Sequence, residues 1–187
     1  MAIVINGSGT VTGLAVGGLP DGTVDAGTLA TDSVVAAKLK SDAIAVADLP
    51  AGSVLQVVSD SSEAQQTISA AGWVDTALSV TITPSSTASK IHLQYSFRGI
   101  YSVNPESGFA FRIMRGSTPV HTPTGNYEHY HYSTAVYENS SDIALDSPAT
   151  TSAVTYTVQI GGYTSATVVL NYSNYFKDTL IAMEIAG

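Results

Sequence analysis

Apolar and polar side chains alternate, or β-branched residues predominate, in seven short runs of the later two-thirds of the chain. Alternation with a period of two is typical of β-strands that bury one face. The predicted strands cover residues 54–59, 78–83, 90–97, 108–114, 153–160, 167–172 and 179–185. Seven or more short strands within about 130 residues, separated by turn-rich segments, predict an all-β domain built as a β-sandwich.

Residues 21–50 follow a different pattern, with three consecutive rows of ten residues that read DGTVDAGTLA, TDSVVAAKLK and SDAIAVADLP. Two columns are apolar in every row. One column contains Val24, Val34 and Ile44, and the other contains Leu29, Leu39 and Leu49. Two sizeable apolar residues per row cannot offset the entropy of ordering that row. We therefore expect the rows to stack and the chains to associate.

The repeat predicts a stalk over residues 19–52, and two other interpretations stay open. The small and polar composition also fits a disordered linker. Residues 33–40 also fit a short amphipathic helix, although a helix of this length is marginal alone. The recurrence of Leu every ten residues favours the stalk, and the local conformation of each row is left open.

A hairpin is predicted before the repeat. Residues 3–5 and 10–12 are β-prone and flank Asn-Gly-Ser-Gly at positions 6–9. Asn and Gly tolerate the positive φ angles that tight hairpin turns require. We interpret residues 1–18 as a small N-terminal anchor.

Aromatic residues divide the chain. Residues 1–72 contain no Phe, Tyr, Trp, His or Arg, whereas all 15 aromatic residues lie between Trp73 and Phe176. Aromatic side chains supply the largest burial per residue, so the first part has little with which to form its own core. The predicted organisation is an anchor over 1–18, a stalk over 19–52 and a β-sandwich over 53–187.

Charge and composition exclude several classes of function. With 7 basic against 15 acidic residues and a net charge of −8, the chain repels a phosphate backbone, so nucleic acid is not expected as a partner. The absence of cysteine excludes disulfides, thiolate nucleophiles and cysteine-ligated metals. No signal-peptide pattern and no run of ~18 apolar residues occurs, so we expect synthesis in a cytoplasm and no membrane span.

Catalytic motifs are missing from the sequence, which has no G-x-S-x-G, P-loop or H-E-x-x-H pattern. Four acidic residues can be considered as a glycosidase carboxylate pair, namely Glu128, Glu138, Asp142 and Asp146. Sequence spacing does not show whether any two of them face one sugar cleft. We expect no enzymatic activity and no cofactor.

Tyrosine and histidine concentrate between residues 120 and 137. Both side chains combine a flat apolar face with a polar tip, which suits stacking on a sugar ring or an interface hot spot. The candidate receptor-binding residues are Tyr127, His129, Tyr130, His131, Tyr132 and Tyr137. Packing between subunits of a trimer explains the same residues equally well, and both interpretations stay open.

A metal site is a further candidate in this segment. If residues 129–132 form a strand, His129 and His131 share one face while Tyr130 and Tyr132 share the other. Around a threefold axis, the two histidines of each chain would gather nitrogen ligands suited to a transition-metal ion.

The remaining candidates are the three arginines, Arg98, Arg112 and Arg115, and the single tryptophan. In a chain this acidic, we expect the arginines to pair with carboxylates across strands or subunits. Trp73 opens the aromatic region and is expected in the core or an interface.

Several segments resemble the small fibre and receptor-binding proteins of tailed bacteriophages, particularly phages of cyanobacteria. The N-terminal residues 2–13 and 18–24 are similar to the start of such proteins, and the rows that end in Lys-Leu and Asp-Leu are similar to their decameric stalk repeats. The distal segments that resemble strands of a trimeric fibre-tip knob are residues 78–84, 111–117, 145–154 and 183–187.

The resemblance implies a homotrimer in the virion, bound to other virion proteins through its N-terminus. It also implies a short stalk and a jelly-roll-like β-sandwich knob that meets a glycan or protein on the host surface. With three to four rows, the stalk is too short for a long tail fibre. A head decoration fibre, a bare carbohydrate-binding module and a small glycan-degrading tailspike are the alternatives.

Overall fold

A computed structural model describes part of the chain, and the described residues form two units, Met1–Ala45 and Val46–Gly187. The described residues are 4–5, 11–12, 31, 34–35, 39, 44–69, 72–104, 106–123, 128–132, 136–163 and 167–187. Val24 and Leu29 of the apolar columns, and Tyr127, lie outside them. In the first unit, β1 (Val4–Ile5) pairs antiparallel with β2 (Val11–Thr12), which confirms the predicted hairpin.

The second unit is built from strands, and its described residues contain no α-helix. Its strands are β3 (Val54–Ser62), β4 (Gln66–Ile68), β5 (Gly72–Ile82), β6 (Lys90–Ser102), β7 (Ser107–Arg115), β8 (Thr118–His121), β9 (His129–His131), β10 (Val136–Asp146), β11 (Val154–Tyr163), β12 (Val168–Leu170) and β13 (Asp178–Ile185). Short 3₁₀ turns cover Val46–Asp48 and Tyr172–Asn174. The all-β class and the seven predicted strands are confirmed, whereas β4, β8, β9 and β10 were not predicted.

The strands form two antiparallel sheets. In the first, β6 is central, with β10 on one side and β13 and β12 on the other, while β3 pairs with β13 and β4 with β12. In the second, the order is β5-β11-β7-β8, and β9 also pairs with β7. Strand β10 therefore lies at an edge of the first sheet in the described part of the chain.

Both sheets contribute to one hydrophobic core. Alternate residues of β6 are buried, as period-two strand geometry requires. The centre is aromatic: Phe97 of β6 stacks on Phe111 of β7 with ring centroids 4.5 Å apart, and Tyr95 and Phe109 pack beside Phe111. Two sheets that share one core are what a sandwich requires. The jelly-roll form of the sandwich stays a prediction.

A β-bulge in β6 keeps its inner face in phase with the core. Ile100 pairs with Glu138 and Phe97 with Ser140, so two residues of β6 oppose one of β10. Gly99 has a φ of 64°, and a Cβ there would overlap the Phe176 ring. Phe97 and Ile100 are both buried as a result, and β10 keeps its alternation past the bulge.

Strand β13 buries two carboxylates in different surroundings. Burial raises the pKa of Glu184, but hydrogen bonds from Gln56, Ser85 and Ser89 outweigh this, so its pKa lies below the usual value. Asp178 is 2% exposed, and its Oδ1 accepts one hydrogen bond of 2.9 Å from the Arg98 N–H. Burial therefore raises the pKa of Asp178 to about 6.

We predict that Asp178→Asn stabilises the protein at neutral pH. Since the pKa of Asp178 is raised on folding, the stabilisation from its proton is complete below about pH 4 and is lost as pH rises through about 6. Asn is neutral at every pH and retains the acceptor for the Arg98 N–H. Urea unfolding at about pH 4 and pH 7.5 should show a gain at pH 7.5 that shrinks at pH 4.

The matched control is Glu63→Gln, which removes one charge from a side chain that is 71% exposed. It should leave the free energy of unfolding nearly unchanged at both pH values. Equal pH dependence in the wild type and Asp178→Asn would contradict the assignment.

Candidate functional site

Strand β10 has one outward face and one face turned to the second sheet. Its residues at odd positions from 137 to 145 are exposed, whereas those at even positions are buried or half-buried. The inner face carries three carboxylates, from Glu138, Asp142 and Asp146, which we call the acidic row. Each carboxylate contacts residues of the other sheet.

Glu138 is held by two histidines. Its Oε2 lies 2.8 Å from His129 Nδ1, and its Oε1 lies 2.6 Å from His131 Nε2. The His129 ring also stacks on buried Phe109, with ring centroids 4.8 Å apart. The two histidines thus share one face of β9, as alternation predicts, and converge on a carboxylate of their own chain. The metal ion on a threefold axis stays a prediction.

Asp146 is paired at the other end of the acidic row. Its Oδ2 accepts hydrogen bonds from Arg115 Nη1 at 2.6 Å and from the buried Tyr156 hydroxyl at 2.7 Å. The Arg115–Asp146 pair joins β7 to β10, which confirms for this arginine the pairing expected from the sequence.

The other two arginines have different surroundings. Arg112 Nε donates to Gln159 Oε1 at 2.7 Å, and its guanidinium lies over the half-buried Trp73 ring, 4.4 Å from the centroid. Burial lowers the pKa of Arg112. Arg98 lies over the Phe176 ring at 5.8 Å. The charge of Asp75 raises the pKa of Arg112 by a smaller amount, and the direct contacts of the two arginines in the described part of the chain are with aromatic or amide groups.

The middle of the acidic row belongs to a cluster of three side chains. One ligand atom from each of His121, Glu128 and Asp142 lies within 4.8 Å of the other two. His121 Nε2 is 2.8 Å from Asp142 Oδ2, although the geometry does not form a hydrogen bond. Glu128 immediately precedes β9, and its backbone N–H donates to Phe109 O at 3.0 Å, which fixes it beside β7.

A pocket of about 360 Å³ opens beside this cluster. It is lined by Tyr95, Glu128, His129, Asn139, Ser140, Ser141 and Asp142. Tyr95 is 1% exposed, and its hydroxyl has no hydrogen-bond partner among the described residues. Burial raises the pKa of Tyr95, and the charges of Glu128 and Asp142 raise it further. The interaction with the Ser140 side chain lowers this pKa, but by less than burial raises it. The pocket therefore presents carboxylates beside a buried tyrosine hydroxyl that forms no hydrogen bond of standard geometry with the described residues.

The tyrosines of the predicted receptor segment lie on two surfaces. Tyr132 is 80% exposed, and the half-buried Tyr130 meets it edge to face at 5.0 Å. Tyr137 is on the outward face of β10, where it packs against Tyr101 at 4.7 Å and Tyr172 at 5.5 Å. The described candidates therefore divide into inward histidines and outward tyrosines. Tyr101 and Tyr172 were not predicted.

Of the four acidic residues considered for a glycosidase carboxylate pair, two come together and two have other partners. Glu128 and Asp142 come together in the cluster. Glu138 is held by two histidines, and Asp146 is held by Arg115 and Tyr156. The pair that the structure brings together is Glu128 and Asp142.

Comparisons with known protein families and with curated proteins find no match for this chain. Within the described ranges, no helix has the length and apolar character needed to cross a membrane.

We predict that Glu138→Ala destabilises the protein by about 1–3 kcal/mol, because it leaves two half-buried histidines without their shared acceptor. Glu63→Ala is the control, since its exposed carboxylate lies 3.7 Å from Lys177 and is expected to contribute at most ~1 kcal/mol. Urea unfolding of both variants measures the difference. An equal, small effect of the two substitutions would show that the Glu138 contacts contribute little.

Proposed function

We propose that this chain is a non-enzymatic virion fibre protein of a tailed bacteriophage. In this proposal, residues 1–18 attach it to other virion proteins, residues 19–52 form a short trimeric stalk, and residues 53–187 form a knob that adheres to the host surface. The resemblance of the repeat and the distal segments to phage fibres supports the assignment, and so does the all-β class of the second unit.

The exposure of the described residues of the apolar columns is the observation that carries the proposal. Val34, Leu39, Ile44 and Leu49 are between 39% and 55% exposed in the single chain. Burying one leucine contributes about 1.5–3 kcal/mol, so the exposed columns favour association between chains. The repeat places these residues at regular intervals, which suits parallel copies around one axis.

The outward face of the first sheet also favours association. Val57 pairs with Met183, Met183 with His92, and His92 with Leu145, so these four residues form a row across four strands. Val57 and Leu145 at its ends are 57% and 59% exposed. Exposed apolar residues on a sheet face, here at the two ends of a row with half-buried His92 and Met183 between them, favour contact with another protein. In the proposed trimer, it supports packing between knobs.

The exposed tyrosines support the adhesive part of the proposal. Tyr132 and Tyr137 each offer an accessible ring on a rigid β scaffold, which suits stacking on a sugar ring or docking on a host protein. Weak contacts suffice when three knobs per fibre and several fibres per particle bind together, because avidity multiplies their effect.

We predict that Leu39→Asp disrupts the stalk and leaves the knob folded. The substitution places three charges in one apolar row of a trimer. Light scattering of the wild type should give three times 19.3 kDa, and the variant should lose this mass while its β-sheet circular dichroism is retained. Ser41→Asp, which adds the same charge at a polar position of the repeat, is the control. A wild type that stays monomeric at micromolar concentration would contradict the stalk.

We predict that Tyr132→Ala and Tyr137→Ala each weaken binding of the trimer to host cells about tenfold or more, as expected for interface hot spots. The control is Tyr175→Ala, which removes a ring that is 83% exposed outside the candidate segment. Binding is measured after each variant is shown to keep its melting temperature. Unchanged binding in both variants would exclude these tyrosines as the receptor surface. A parent protein that neither binds cells nor competes with intact particles would favour a head decoration fibre.

A further inference from the structure

The cluster of His121, Glu128 and Asp142 has no role in the proposed stalk or in the tyrosine surfaces. Its members come from β8, from the residue before β9, and from β10, so three separate segments converge on one point. Two of the three groups are carboxylates, which repel each other at this distance unless a cation lies between them.

Two buried polar atoms, one in the cluster and one in the adjoining pocket, have no hydrogen-bond partner among the described residues. His121 Nε2 is buried and faces Asp142 Oδ2 at 2.8 Å without forming a hydrogen bond. The Tyr95 hydroxyl, on a side chain that is 1% exposed, lines the pocket that Glu128 and Asp142 also line. Buried polar atoms are paired in most proteins, and unpaired ones commonly mark a site for a water molecule or an ion.

We propose that His121 Nε2 and one carboxylate oxygen each of Glu128 and Asp142 bind a single divalent transition-metal ion of the Zn²⁺ type. Zinc bonds of about 2.0–2.2 Å to nitrogen and oxygen place tetrahedral ligand atoms about 3.3–3.6 Å apart. The three ligand atoms already lie within 4.8 Å of one another. Side-chain rotations that move the ligand atoms by about 1 Å bring them to the separations that tetrahedral zinc requires.

The ligand types select this class of metal. Imidazole nitrogen suits zinc and its neighbours in the first transition row, whereas Ca²⁺ takes six to eight oxygen ligands and Mg²⁺ a near-octahedral oxygen set. Three protein ligands leave a fourth coordination position for water. Bound metal joins β8, β10 and the start of β9, so it stabilises the edge where the two sheets meet.

The site is separate from the histidine pair on β9. All three ligands come from one chain, so the expected stoichiometry is one ion per chain, independent of the oligomeric state. A site on a threefold axis built from His129 and His131 would hold one ion per three chains. Stoichiometry therefore distinguishes the two, and the inference does not depend on the proposed function.

The test uses the untagged full chain, stripped with a chelator and titrated with Zn²⁺ by calorimetry. We expect one Zn²⁺ per chain and a higher melting temperature with Zn²⁺. Asp142→Asn and Glu128→Gln preserve side-chain shape, and each should weaken the binding of Zn²⁺ at least tenfold. His121→Ala should weaken it to the same extent. Glu63→Gln, which removes an exposed carboxylate outside the cluster, is the control and should bind Zn²⁺ as the wild type does.

Three results would overturn the proposal. The first is no Zn²⁺ binding to the folded wild type at micromolar concentration. The second is binding that Asp142→Asn and Glu128→Gln leave unchanged while their melting temperatures in the absence of metal match the wild type. The third is a ratio of one ion per three chains that is lost in His131→Ala, which would place the metal at the β9 pair.

Discussion

Burial of aromatic rings between two sheets is the constraint on which the second unit depends. Phe97 of one sheet stacks on Phe111 of the other, and Tyr95 and Phe109 extend the contact. Because every aromatic residue follows position 72, only this part of the chain can form such a core by itself. In the preceding repeat, the described column residues Val34, Leu39, Ile44 and Leu49 are exposed in the single chain, and we propose that association between chains buries them.

The core ends at β10, where the contact between the sheets becomes polar. The acidic row faces histidines and an arginine from the second sheet, and these contacts compensate for taking the carboxylates out of water. Glu138 contacts two histidines there, and Asp146 accepts hydrogen bonds from Arg115 and Tyr156. Asp142 differs, because Glu128 approaches it and the His121 ring is not aligned to hydrogen-bond with it. The candidate metal site lies where this polar contact is incomplete.

The sequence predicted most of the sheet framework and only part of the site. Alternation identified the strands with buried apolar faces, but β10 escaped because its pattern is inverted: Ile143 and Leu145 point outward, and carboxylates point inward. The shared face of His129 and His131 followed from period-two geometry. The contact of these histidines with Glu138 could not be predicted in this way, because it depends on the packing of β9 against β10, which belong to different sheets. The three-residue cluster has no local spacing to recognise and arises only from the packing of the sheets.

We propose that three copies of the chain associate through the repeat. Cryo-electron microscopy of the purified full chain tests it most directly. The account predicts particles with threefold symmetry in which residues 19–52 of the three chains run along the axis. Single 19.3 kDa chains, or particles whose contacts leave Leu39 and Leu49 away from any subunit interface, would contradict it.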